Sequence, residues 1–236
     1  MTAPTAVPRA SRLIAVGSGR GGSGKTTVSL SLAHALATTH GRSVALVDLD
    51  PQGSCSSYAG SRPVADPLVA PPVDLHGLRL YRGGEAMARA SAADVEAHLR
   101  RAATDVDVVI VDLPPALTDL AHRAVLAYPP TLLVLAVELE PGSLQPAAKL
   151  IRMANDAGVL YEVLGNKLNA RTVTAGALMT LQGAYGDNVS SILVRDDAKA
   201  PESISKRLPL TAYRPKAASS KAIFEFAKDL VIRGLA

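Results

Sequence analysis

The nine residues Gly19-Arg-Gly-Gly-Ser-Gly-Lys25-Thr26-Thr27 restrict what this chain can fold into more than any other stretch. They fit G-x-x-x-x-G-K-[ST]. They also stand between a strand-like run, Leu13–Gly17, and a helical stretch from Lys25 to Thr39 that Gly41 is placed to end. A glycine-rich turn from strand to helix lets backbone N–H groups converge on a phosphate chain at the positive end of the helix. In such a loop Gly21, Gly22, Ser23, Gly24 and Thr27 surround the phosphates. Lys25 reaches the terminal ones and the Thr26 hydroxyl holds a magnesium ion.

The rest of the chain keeps the same alternation. Strands are expected at Ser43–Asp48, Leu78–Tyr81, Val106–Asp112, 131–137, 159–165 and 189–194. Helices are expected at Ser91 to Ala103, opened by a Ser91/Asp94 capping pair, and at 118–127, 143–157, 173–184 and Ala217–Arg233. Residues 59–77 carry four prolines and read as an irregular connection. This pattern predicts a single-domain α/β fold, a mostly parallel twisted sheet with helices on both faces. Residues 1–12 read as a flexible N-terminal tail and 13–236 as the phosphate-loop domain. With so short an N-terminal tail, an added operator-binding domain is not expected.

Composition narrows the functional classes. In 236 residues, 48% are apolar and 19% charged, which excludes wholesale disorder. Aromatics are 3%, with no Trp, so a base-stacking surface is not expected. The single Cys55 excludes a disulfide framework and a multi-thiolate metal cluster, and points to a reducing cytoplasm. No apolar run approaches the roughly 20 residues that span a bilayer. Between Arg195 and Lys221 stand seven cations and three anions, an excess equal to the net charge of the whole chain, +4. That segment is the expected surface for a polyanion. Its cations alternate with Pro and Ser, so contact with phosphates rather than with base edges is the expected mode.

Two further motifs carry carboxylates. Asp112 ends the apolar run VVIVD and is followed, after Leu113, by two prolines. A carboxylate at such a strand end, opposite a phosphate loop, holds a metal-bound water. Asp48-Leu-Asp50-Pro-Gln-Gly53 ends the second strand, with Asp50 beyond the strand and able to orient an attacking water.

Together GRGGSGKTT, VALVDLDPQG and VVIVDLPPAL resemble the nucleotide motifs of the ParA-type ATPases, in the deviant-Walker-A class that also contains MinD. LLVLAVELEPGSLQ, LGNKLNART and VRDDAKAPES extend the resemblance over nearly the whole chain after the tail. It implies ATP and Mg²⁺ as cofactors, with Thr26 and, through water, Asp112 serving the metal. It also implies Asp50 for the hydrolytic water and Asn166 with the Arg195–Pro201 region near adenine. It implies an ATP-dependent sandwich homodimer that coats double-stranded DNA without sequence preference. A ParB-type centromere-binding partner would stimulate slow hydrolysis during plasmid or chromosome segregation, in a cytoplasmic, nucleoid-associated protein. The DNA contacts expected are Arg171, Lys199, Lys206, Arg207, Arg214, Lys216 and Lys221.

One position departs from the class. Its signature Lys, which crosses to the other subunit's phosphates, is Arg20 here. Arg20 supplies the charge with a planar fork instead of an ammonium, and is expected to act in trans. The alternatives are a MinD-like ATPase that positions a membrane or protein cargo, and a small-molecule kinase or ligase on the same scaffold. The C-terminal helix is expected to pack on the sheet rather than on a membrane. His34, His40, His76, His98 and His122 lack metal-ligand spacing. Cys55 reads as a small filler, and Met87, Met153 and Met179 as core or near-core residues.

Overall fold

Runs too apolar to face water on either side become the interior strands of one sheet. The computed structural model describes residues 11–58, 60, 64–115, 120–169 and 172–236. In chain order the elements are β1 (Arg12–Gly17), α1 (Lys25–His40), β2 (Val44–Asp48), α2 (Ser54–Tyr58), β3 (Val73–Leu75) and β4 (Leu78–Tyr81). Next come α3 (Ala92–Ala102), β5 (Val108–Asp112), α4 (Leu120–Ala127), β6 (Leu132–Glu138), α5 (Pro141–Asp156), β7 (Tyr161–Asn166) and α6 (Thr172–Tyr185). The short helices α7 (Ala200–Ser205) and α8 (Leu210–Tyr213) precede α9 (Ala218–Ile232).

The seven strands lie in the order β3-β4-β2-β5-β1-β6-β7. All neighbours are parallel except β3 and β4, which form an antiparallel edge. β5 inserts between β1 and β2, and β6 lies on the other side of β1. The crossovers therefore leave β1 in opposite directions, which opens a crevice at the carboxyl ends of the central strands. Register aligns those ends: Asp112 stands opposite both Val16 and Asp48.

Alternation within the strands divides the core in two. Ala15, Val47, Val111 and Leu135 face one side, where Leu99 of α3, Val125 of α4, Leu150 of α5 and Leu181 of α6 cover them. Ile14, Leu46, Ile110 and Val134 face the other, under Leu32 and Leu36 of α1 and Ile223, Phe226 and Leu230 of α9. The apolar side of the last helix is thus spent on packing. Among the described residues no helix is long and apolar enough to cross a membrane.

Local signals worked where they named a hydrogen bond. The Gly41 N–H caps α1 on the Leu36 carbonyl. Ser91 Oγ accepts from the Asp94 N–H at 3.2 Å while Asp94 Oδ2 accepts from the Ser91 N–H at 2.9 Å. Other expectations need correction. The segment 189–194 is not a strand. It touches β7 through the isolated bridge Val163–Val189, and the Ser190 hydroxyl takes the Ile192 N–H that a ladder would use. The irregular stretch 59–77 contains β3, and α2 precedes it. β1 begins at Arg12 rather than Leu13, and Ser11 is already tied to the Ala103 and Val106 carbonyls. Met87 is core and Met153 packs against it, but Met179 is 72% exposed because α6 turns that face to solvent.

Phe226 is the largest fully buried side chain, wedged where α9 meets α1 and the sheet. Phe226→Ala is expected to cost about 3–5 kcal/mol, read as a lower urea midpoint at unchanged slope.

Candidate functional site

Three loops leave the carboxyl ends of β1, β2 and β5 and enclose a cavity of about 570 Å³. Gly21, Gly22, Gly24, Lys25, Thr26 and Thr27 line it from the first loop, Asp50, Gln52 and Ser54 from the second, and Pro115 from the third. The residues singled out in GRGGSGKTT, DLDPQG and VVIVDLPP are therefore brought together in one place.

Helix α1 starts at Lys25 with no side chain capping it. Gly24 before it has φ of +86°, a left-handed conformation that favours glycine. A Cβ there would also lie 2.5 Å from Asn166 Nδ2. That amide donates to the Ser23 carbonyl at 2.7 Å, so the end of β7 holds the loop from behind. Asn166, expected near adenine, is 5% exposed and spends its amide group on the loop backbone.

Asp112 has no exposure. Its Oδ2 accepts from Thr26 Oγ1 at 2.7 Å and from the Cys55 thiol at 3.4 Å, and its Oδ1 accepts from Ser29 Oγ at 2.8 Å. Burial pushes its carboxyl up, while the Lys25 charge and the Thr26 and Ser29 hydroxyls act against that shift. Asp48, also unexposed, is pushed up to about 8, first by burial and then by the facing Asp112. Oxygens of Asp48 and Asp112 lie within 4.8 Å of each other, and two buried carboxyls this close titrate as a pair. Burial and both carboxylates push the Cys55 thiol well up. Cys55, read above as a small filler, is buried and its thiol faces Asp112.

Asp50 is 5% exposed. It is fixed by the Gln52 N–H on Oδ1 at 2.9 Å and by Ser54 Oγ on Oδ2 at 3.0 Å, at the start of a turn closed by the Gly53 N–H on the Asp50 carbonyl. A carboxylate so held at a cavity wall is suited to orient a water. Arg20 is about half exposed. Its guanidinium pairs with Glu140 beside the start of α5 and lies 3.2 Å from Ser143 Oγ.

The fit to a magnesium–nucleotide is direct. Thr26 Oγ1 and the Asp112 carboxylate offer adjacent hard oxygens, suited to a cation that keeps most of its waters. The protonated Cys55 does not make the pocket a soft-metal site. Ser23 Oγ is buried with no partner among the described residues, and the first turn of α1 presents its N–H groups to the cavity.

Several contributors escaped the sequence reading. Ser29 lies one turn beyond Lys25 and three residues after Thr26, a spacing that places it on the face of Thr26. Tyr58 and Ile204 line the cavity from α2 and α7, which no local pattern links to the loop. A Cβ on Gly83 would lie 2.8 Å from Asp48 Cγ, so that position must stay small.

The basic segment is surface. Lys206, Arg207, Lys216 and Lys221 are exposed and have no carboxylate partner among the described residues. Lys199 instead pairs with Glu202 and Arg214 with Asp197 at 2.8 Å. Arg171 lies outside the described residues.

The CobQ/CobB/MinD/ParA nucleotide binding domain family matches residues 14–210. The chromosome partitioning protein ParA of Caulobacter vibrioides is 26% identical, over 94% of each chain. The structure of a ParA family ATPase from Chlorobium tepidum superposes with a TM-score of 0.80 at 20% identity, covering 93% of this chain and 98% of that one. The septum site-determining protein MinD complexed with Mg-ADP, from Pyrococcus horikoshii, gives 0.78 at 21%, covering 93% and 96%.

His122, on α4, is fully buried with both ring nitrogens unpartnered among the described residues. Burial, then the Lys25 charge, push it down to about 4. From pH 6.5 down to about 4 the unfolded chain binds a proton here that the folded chain refuses, so stability falls with pH across that window. Buried His98, also pushed down to about 4, acts in the same direction. His122→Leu is expected to flatten, not abolish, the acid-side decline of Tm, measured by calorimetry from pH 7.5 to 4.5.

Proposed function

The chain belongs to the CobQ/CobB/MinD/ParA nucleotide-binding family as a ParA-type ATPase, and from that premise we propose that it is a DNA-segregation ATPase. In this reading ATP and Mg²⁺ bind at Gly21–Thr27 and draw two copies into a sandwich homodimer. The dimer coats double-stranded DNA without sequence preference, and a ParB-type partner accelerates an otherwise slow hydrolysis.

Within that reading the loop N–H groups and Lys25 hold the phosphates, and Thr26 with Asp112, through water, would hold the metal. When bound, the metal neutralises charge on the phosphates. Asp50 orients the hydrolytic water from the opposite wall. Arg20 exchanges Glu140 for the phosphates of a second copy.

The observation that carries the DNA reading is the exposed and uncancelled charge of Lys206, Arg207, Lys216 and Lys221, on the segment whose residue Ile204 lines the phosphate cavity. The MinD-like alternative gains no support from α9, whose apolar residues Ile223, Phe226 and Leu230 are buried.

Binding of nonspecific duplex DNA with ATP, ADP or no nucleotide, across a salt series, tests the proposal. Binding is expected with ATP, and reversing Lys206 and Arg207 to Glu should make the slope of log K against log salt shallower by about 2. Absence of DNA binding in every nucleotide state, with ATP binding intact, overturns it. Arg20→Ala is expected to abolish the ATP-dependent shift from monomer to dimer in light scattering. An unchanged shift removes Arg20 from the interface.

A further inference from the structure

The side chain of Tyr58 links two functional segments to its own. Tyr58 ends α2, the helix that follows the Asp50–Gly53 turn, and is 5% exposed. Its hydroxyl lies 3.0 Å from Thr27 Oγ1, in the first turn of α1. A second polar neighbour is the side chain of Ser203, fully buried on α7, whose own hydroxyl donates to the Ala200 carbonyl at 2.7 Å. One phenolic group, with a proton to give and lone pairs to accept, thus joins the phosphate loop and the helix after Asp50 to the start of the basic segment.

The basic segment is fastened at two more points. Ile204, the residue after Ser203, lines the phosphate cavity and is 41% exposed. Arg207 holds a left-handed backbone, φ +58°, and its carbonyl lies 3.2 Å from His76 Nε2 in the β3–β4 turn. Its guanidinium arm lies across Gly60, where a Cβ would come within 2.5 Å of Cδ and Nε. Lys206 and Arg207 therefore do not sit on a free loop. They hang from α7, and α7 is seated on Tyr58 at the cavity wall.

A ligand biases a distant segment only through contacts that differ between its two states. Tyr58 and Ile204 both line the cavity, within reach of an occupant. We infer that Tyr58 is a positioning residue that makes the DNA affinity of the basic segment depend on occupancy of the phosphate cavity, through its hydroxyl contacts with Thr27 and Ser203. This rests on the DNA-segregation reading above and names the part of that site which reports nucleotide to DNA.

The test measures duplex-DNA affinity with and without ATP for the full chain and for Tyr58→Phe, Ser203→Ala and Gly60→Ala. Tyr58→Phe and Ser203→Ala should each lower the ratio of the two affinities by about fivefold, the worth of one hydrogen bond. Nucleotide-free DNA affinity should stay within about twofold. Gly60→Ala displaces the Arg207 arm, so it should weaken DNA binding in both states and preserve the ratio. A merely structural role for Tyr58 would not produce that split. An unchanged ratio in both Tyr58→Phe and Ser203→Ala overturns the inference while leaving the DNA reading intact. A parent chain that binds DNA equally with and without ATP, or not at all, overturns both.

Discussion

A carboxylate with no exposure at the end of a central strand must be surrounded by donors, because stripping it of water costs several kcal/mol. Asp112 meets that demand from two elements at once. Thr26 and Ser29 reach it from α1, Cys55 from α2, and Lys25 adds its charge. Those partners are the phosphate loop and the helix after the Asp50 turn. Satisfying one buried charge therefore also sets the spacing between the two loops that face each other across the cavity. Asp48 completes the arrangement as the second carboxyl of the buried pair, held by the Asp50 and Ser56 N–H groups.

The sheet makes this possible at little local expense. β1, β2 and β5 run parallel and in register, so their carboxyl ends arrive together and the functional loops need only a few residues each. The apolar burial that supports them is spread over both faces of the sheet. Asn166 at the end of β7 adds a brace from behind the loop.

How much of this could be read from residues alone follows from where the information lies. Interior strands were readable because VALVD, VVIVD and LLVLAVE are apolar without interruption up to their terminal carboxylates, and burial on both faces requires that. The Ser91–Asp94 cap was readable because both partners lie within four residues. The short helix SCSSY was not. Its residues are weak helix formers, and it exists because Ser56 and Cys55 are held by Asp48 and Asp112. The run 189–194 has strand composition, yet β7 accepts it at isolated points only. The cavity was foreseen through three motifs, whereas Tyr58 and Ile204 reach it by tertiary packing. Charge pairing was invisible as well: Lys199 and Arg214 count as cations in the sequence but face Glu202 and Asp197 in space.

The pairing of α1 with α9 has a consequence for how the protein is made. The phosphate-loop helix leaves the ribosome early, and the helix that covers its apolar side leaves near the end of the described chain. Until then Leu32 and Leu36 rest on the sheet alone and lack the Ile223, Phe226 and Leu230 that complete their burial. The packing beneath the phosphate loop is therefore finished only when α9 docks.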